Sequence, residues 1–188
     1  MCCHKEYDTV PSMWEPIQCG AALNPTITNT LSDNAGENIS LQNRIYCELT
    51  AHYYAWKNIT AEYYGFSHYR RFFGVEHITK LPYIAIGKMT ESKIDRFLGD
   101  ESYWKEIITS NDIIAPRSED MGLTVREHYI TSAYHYEEDL VLFFDILGHQ
   151  FPHLYQTAQE YLSQNRQYFC NMFIMKKELF HEYCEILF

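Results

Sequence analysis

The chain has 188 residues, 46% of them hydrophobic and 21% charged, enough apolar material for one globular domain with a sizeable core. Its formal net charge of −10 argues against a nucleic-acid partner, because a duplex binder presents a basic face that displaces counterions. No run of about 18 apolar residues occurs, so no transmembrane helix is expected, and the start Met1-Cys2-Cys3-His4-Lys5 lacks the apolar stretch of a secretory signal.

In chain order, Cys2-Cys3 reads as the tail of a first strand. A polar, glycine-bearing loop follows at Asp33-Asn34-Ala35-Gly36-Glu37-Asn38-Ile39-Ser40. Residues 43–58 give the clearest helix, with Ile45, Leu49, His52 or Tyr53, and Trp56 at three- and four-residue steps; Asn43 or Ser40 is suited to cap it. The short, aromatic, uncharged run 63–67 suits a buried strand. Thr90 and Asp100 look like caps, the first for a helix bearing Ile94, Phe97 and Leu98, the second for one bearing Tyr103, Trp104, Ile107 and Ile108. Residues 112–115 form a second strand, stopped by Pro116. Thr124-Val125-Arg126-Glu127 is a capping box opening a helix through His128 and His135. Another helix covers 138–147, and Pro152 suits the first turn of the next. A third strand is expected within 168–175, leading into a helix with Phe180, Tyr183, Cys184 and Leu187 on one face.

Uncharged strands interleaved with amphipathic helices predict an α/β fold: a mostly parallel central sheet with helices on both faces. With no internal repeat and no Pro/Gly/Ser linker, residues 1–188 read as a single domain. Both ends look cut, since the first strand shows only its tail and the last helix is still apolar at Phe188.

Parallel sheets bind ligands beyond the carboxyl ends of their strands. His68-Tyr69-Arg70-Arg71 follows the 63–67 strand directly, and the planar forks of its two arginines match phosphate oxygens. If the backbone stays extended, His68 and Arg70 point one way and Tyr69 and Arg71 the other. Ion pairing with some of the 25 acidic residues is the alternative use of these arginines. His4-Lys5 is a second polar pair at the same sheet edge. Asn38, Ser40 and Asn43 come from the polar loop and helix start, where such groups meet a ribose or phosphate or simply cap a turn. Asp112, Glu119, Asp120 and Glu127 are acid or base candidates, or a solvated face.

The six cysteines lie apart without a CxxC pair, which reads as reduced core thiols and a cytoplasmic location. HExxH and Asp-x-Asp are absent, and the pairs His128/His135 and His149/His153 are poorly spaced, so no metal ligands are assigned. GxSxG and GxGxxG are missing as well, against a serine hydrolase and a nicotinamide enzyme.

Five ordered blocks carry a family resemblance: Pro16-Ile17-Gln18-Cys19-Gly20-Ala21, Gly36-Glu37-Asn38-Ile39-Ser40, the stretch from Tyr46-Cys47-Glu48-Leu49-Thr50-Ala51 to Trp56-Lys57-Asn58, His68-Tyr69-Arg70-Arg71-Phe72-Phe73, and Asn171-Met172-Phe173-Ile174-Met175-Lys176. Together they resemble the bacterial family catalogued as domain of unknown function 4422, found among capsular and exopolysaccharide biosynthesis proteins. The resemblance implies a Rossmann-like glycosyltransferase A-type fold. It also implies transfer of a sugar, galactose or galactofuranose among the options, from a nucleotide-sugar, with uridine diphosphate (UDP) as the expected carrier, to a saccharide acceptor. Such acceptors are often lipid-linked, so contact with the inner face of the membrane is left open. On this reading His4, Lys5, Asn38, Ser40, Asn43 and His68 hold the nucleotide, Arg70 and Arg71 stabilise the departing diphosphate, and Asp120 or His128 is the general base. Many enzymes of that fold place Asp-x-Asp where this chain reads His68-Tyr69-Arg70, so Mn²⁺ or Mg²⁺ is optional. The alternative is a non-catalytic nucleotide-sugar- or carbohydrate-binding module on a decayed transferase fold.

Overall fold

The computed structural model describes residues 1–7, 10, 13–75, 84–85, 90, 92–93, 98 and 100–188. It divides into two compact units, Met1–Pro116 with Cys170–Phe188, and Arg117–Phe169.

The first unit is built on a sheet. Strands β1 (Cys2–Cys3), β2 (Ile17–Gln18) and β3 (Leu31–Ser32) run parallel, with Cys2 opposite Ile17 and Ile17 opposite Leu31. Strand β4 (Tyr63–Phe66) continues to β1 through a parallel bridge between Cys2 and His68, made by Cys2 N–H to Ser67 O (2.8 Å) and Tyr69 N–H to Cys2 O (3.0 Å). Beyond β4 come β10 (Phe173–Lys176) and then β7 (Ile113–Ile114), with β10 antiparallel to both β4 and β7. The order is therefore β3-β2-β1-β4-β10-β7, parallel except for β10. A short antiparallel pair, β5 (Arg71–Phe72) and β6 (Ile84–Ala85), follows the end of β4.

Alternation along the strands loads both faces. Tyr64, Phe66, Phe173 and Met175 face one way, against Ala51 and Ala55 of α2 (Leu49–Asn58) and Phe180 and Cys184 of α7 (Lys177–Leu187). Tyr64 stacks on Phe180 with centroids 4.3 Å apart. Ile174 faces the other way, with Phe73, Met172 and Trp104 of α3 (Glu101–Thr109). The α/β architecture with helices on both faces is thus as the sequence predicts, and α7 buries the predicted face.

Two expectations for this unit change. The helix over 43–58 is broken into α1 (Asn43–Tyr46) and α2, because Cys47 adopts φ 49°. Asn43 Nδ2 donates to Cys47 O (2.6 Å) and Thr50 Oγ1 donates to the same carbonyl (3.0 Å), which holds the break. Neither Asn43 nor Ser40 caps a helix, Ile45 is exposed, and the inward face is Thr50, Ala51, His52 and Ala55. The third strand starts only at Phe173, after left-handed turns at Cys170 and Asn171. Asp100 caps α3 through Tyr103 N–H (2.9 Å) as predicted; Ile94 and Phe97 lie outside the described residues.

The second unit is mostly helical: α4 (Val125–Thr131), α5 (Glu137–Gln150) and α6 (Pro152–Ser163), plus an antiparallel pair β8 (Glu119–Asp120) and β9 (Arg166–Gln167). The Thr124–Glu127 capping box is present with both reciprocal bonds. Its helix ends at Thr131 rather than running through His135, since Ser132 is extended and Tyr134 has φ 66°. Pro152 occupies the first turn of α6. Among the described residues, no helix is long and apolar enough to cross a membrane.

Candidate functional site

The carboxyl ends of β1 and β4 lie side by side because Cys2 bridges His68, and this brings His4 beside His68 (ring centroids 6.1 Å apart). A cleft of about 270 Å³ opens there, lined by Cys2, Cys3, His4, Cys19, Asn43, Cys47, Glu48 and His68.

The backbone does not stay extended after β4. His68 N–H donates to Arg71 O (3.2 Å) and Arg71 N–H to His68 O (3.0 Å), so Tyr69 and Arg70 form the tip of a tight turn. Tyr69 is its hub: His68 lies 4.5 Å away, His4 meets it edge-on at 5.1 Å, and the Arg70 guanidinium sits over its face at 4.8 Å. Cation–π contact of this kind holds a guanidinium without neutralising it. Among the described residues no carboxylate forms an ion pair with Arg70, so for Arg70 the ion-pairing alternative finds no support.

Burial pushes the His68 pKa down to about 4, helped by the neighbouring charges of Arg71 and Arg70. His4 is lowered by burial, then by Lys5 and Arg70. Both rings are therefore neutral at pH 7, each offering one N–H donor. The Arg70 amide lies 3.4 Å from His68 Nδ1; a neutral ring accepting there carries its proton on Nε2. The result is a turn with two fixed cations and a third on Lys5, beside two neutral donors. Such a group is chemically suited to an oxyanion, even though the whole chain is acidic.

The polar loop is used differently from the expectation. Asp33 is fully buried and accepts from Gly20 N–H (2.7 Å), Ala21 N–H (2.9 Å) and Ser40 Oγ (2.5 Å). Ser40 is itself fully buried and also accepts from Ala22 N–H, so its hydroxyl is closed to a ligand. Asn38 is spent inside the loop, donating to Asn34 O and Gly36 O and accepting from Ser40 N–H. Asn43 does line the cleft, packed on Gly20, where a Cβ would stand 2.5 Å from its side chain at φ 68°.

Asp120 and His128 belong to the second unit. Asp120 accepts from Gly122 N–H (2.9 Å) and Asn165 Nδ2 (3.0 Å); His128 Nδ1 pairs with Gln167 Nε2 at 2.8 Å. Glu127 is spent on its cap, whose hydrogen bonds from Thr124 lower its pKa, and Asp112 pairs with Lys176 at 2.5 Å. Of the four carboxylates expected as acid or base candidates, three, Asp112, Asp120 and Glu127, thus have plain structural partners.

Sequence reasoning missed Glu48, Cys47 and Tyr69. Four of six scattered cysteines line one cleft, where burial holds the Cys3 thiol at about 11 and so protonated. Among the described residues no three His, Cys, Asp or Glu side chains converge as metal ligands. The side chains present do not fit a divalent ion held by three protein groups.

A mostly parallel sheet covered on both faces, with a cleft beyond its strand ends beside a cationic turn, defines a glycosyltransferase A-like α/β protein. The chain belongs to the family described as domain of unknown function (DUF4422), whose model matches residues 1–188. A similar solved structure is the apo form of WbbM, a bifunctional glycosyltransferase, at TM-score 0.85 and 26% identity. The match covers 99% of this chain and 35% of that one, so the chain spans about a third of its neighbour's length. This likeness supports a glycosyltransferase-like role. Among curated proteins none matches.

Proposed function

We propose that this chain transfers a sugar from a UDP-linked donor to a saccharide acceptor, with galactose and galactofuranose as the first sugars to test and capsular or exopolysaccharide assembly as the setting. The observation that carries the proposal is the cationic turn His68–Arg71 at the end of β4, set beside His4 and Lys5 at the end of β1. In glycosyl transfer the acceptor hydroxyl oxygen bonds to the anomeric carbon and gives up its proton to a base, while the bond from that carbon to the distal phosphate oxygen breaks and the diphosphate leaves with the electron pair. Arg70 and Arg71 stabilise that developing charge, and the neutral imidazoles of His4 and His68 donate to its oxygens. Lys5 adds charge at the rim. No divalent ion is required for this, because the fixed cations perform the neutralisation.

The test is a thermal-shift titration with UDP and UDP-sugars, each run with Mn²⁺ and with chelator. Ligand at about 100 times its Kd stabilises the fold by roughly 2.7 kcal/mol, a shift of about 5–10 °C at this size. A shift that survives chelation is the expected result; one seen only with Mn²⁺ rejects the arginine mechanism, and none with any nucleotide rejects the donor site. Arg70→Ala and Arg71→Ala each weaken UDP by about 10- to 100-fold, the worth of a charged hydrogen bond. Full activity in both variants sinks the assignment.

A further inference from the structure

His4 and His68, the neutral rings packed against Tyr69 of the cationic turn, line the cleft. Glu48 lines it as well, the one carboxylate to do so among the described residues. Its position is built: the left-handed Cys47 ends α1 just before it, and Asn43 holds that break through the Cys47 carbonyl. From the far side, Asn171 Nδ2 donates to Glu48 Oε1 at 2.9 Å. Asn171 reaches it from a turn in which two successive non-glycine residues, Cys170 and Asn171, take φ 80° and 44°. Among the described residues, Oε2 carries no hydrogen bond.

A carboxylate here works against a phosphate. It raises the His4 and His68 pKa values, opposite to the dominant effects of burial and the arginines. An ionised carboxylate only accepts hydrogen bonds, so its natural partner is a hydroxyl. A nucleotide-sugar presents this pairing, an anionic diphosphate bonded directly to a ring of hydroxyls. At about 270 Å³ the cleft is below the roughly 300–1,000 Å³ of sites that enclose a whole drug-sized ligand, which suits one part of a donor rather than all of it.

We infer that Glu48 is a sugar-recognition residue: its free carboxylate oxygen accepts a hydrogen bond from a hydroxyl of the transferred sugar, while the His68–Arg71 turn takes the diphosphate. The inference rests on the donor reading above. Asn171 and Asn43 act through Glu48 as positioning residues.

The experiment is calorimetric titration of wild type, Glu48→Gln and Asn171→Ala with UDP, UDP-glucose, UDP-galactose and UDP-galactofuranose. In Glu48→Gln the amide oxygen still accepts from Asn171, while the NH₂ replaces the free acceptor with a donor at constant shape. For the sugar that wild type binds best, the ratio of the UDP Kd to the UDP-sugar Kd is expected to fall about tenfold or more. The Kd for UDP itself stays unchanged or tightens, since a negative charge near the diphosphate is gone. Asn171→Ala leaves the charge but frees the carboxylate, so the ratio falls by less; it also serves if Glu48→Gln does not fold. Equal weakening of UDP and UDP-sugar, an unchanged ratio, or a wild type that binds UDP and all three sugars alike overturns the inference. Absence of any UDP binding by wild type overturns the donor reading and this one with it.

Discussion

Residues 1–116 with 170–188 bury Phe72, Phe180, Cys184 and Ala51 almost completely, on both faces of a sheet. Residues 117–169 bury only Val125, Leu147 and Gln167, and leave Tyr134, Val141, Leu142 and Phe143 exposed. The first unit is held by non-local packing, which fixes the strand ends and therefore the cleft. The second relies on local devices, the capping box and Pro152 at a helix start, closed by one non-local pair, β8–β9, in which Arg166 reaches Ser118 across 48 positions. Fixed strand ends suit a site that must hold several groups in register. Local devices suit a segment whose stability is lower and more easily lost.

The largest effect that sharpens this contrast is core truncation. Phe180→Ala is expected to cost about 3–5 kcal/mol, a drop in melting temperature of about 10 °C or more. Leu147→Ala is expected at the low end of the 2–5 kcal/mol range, because among the described residues Leu147 belongs to none of the clusters of buried core residues. Equal losses in the two variants would break the comparison, as would equal hydrogen-exchange protection of α5 and of β4.

Next comes the buried carboxylate. Asp33→Ala leaves two backbone amides and the Ser40 hydroxyl without their acceptor. At about 1 kcal/mol or more for each orphaned group, denaturant unfolding should show a loss of roughly 3 kcal/mol. A loss under about 1 kcal/mol would mean that the loop simply opens to water, and that the first unit is less tightly fixed than argued.

A smaller, pH-dependent effect belongs to His68. Its folded pKa of about 4 lies below the ordinary 6.5, so between these values the unfolded chain binds a proton that the folded chain refuses. Stability therefore rises with pH across this window and is lost as pH falls from 6.5 towards 4. His68 is only half-buried, so solvent screening keeps the slope shallow. An NMR titration should place its midpoint near 4, and His68→Gln should flatten the slope. Bound UDP favours the protonated ring, so UDP affinity should rise as pH falls through the same window. A midpoint at 6.5 would remove the electrostatic argument for the cationic turn.

The smallest effect is Thr124→Ala, which removes one cap and is expected to cost about 1 kcal/mol. Hydrogen exchange should localise the loss to α4. A change spread over β4 and β10 would contradict the local character assigned to the second unit.

The capping box at Thr124, the Asp100 cap, Pro152 and the apolar face of α7 were legible in the chain, because each depends on residues one to four positions apart. The runs at 63–67 and 112–115 likewise announced strands, the first buried but the second an edge strand with Ile113 exposed, and their alternation with helices announced the α/β class. The His68–Arg71 block was legible as a cluster of cations after a strand but not as a turn. The turn is closed by His68 and Arg71 themselves, but its place beside His4 comes from the bridge to Cys2, which is 66 positions away and pairs the ends of β1 and β4. The same distance hid the antiparallel direction of β10, the gathering of four cysteines, and the burial of Asp33 and Ser40, which looked like ligand groups in a polar loop. The helical spacing around Glu48 conceals its place in the cleft, and the break at Cys47 has no local signal, since a non-glycine residue rarely takes positive φ. Helix caps and strand character follow from neighbours along the chain; which polar side chains are consumed by the fold and which face a ligand follows from partners that only tertiary packing brings within hydrogen-bonding reach.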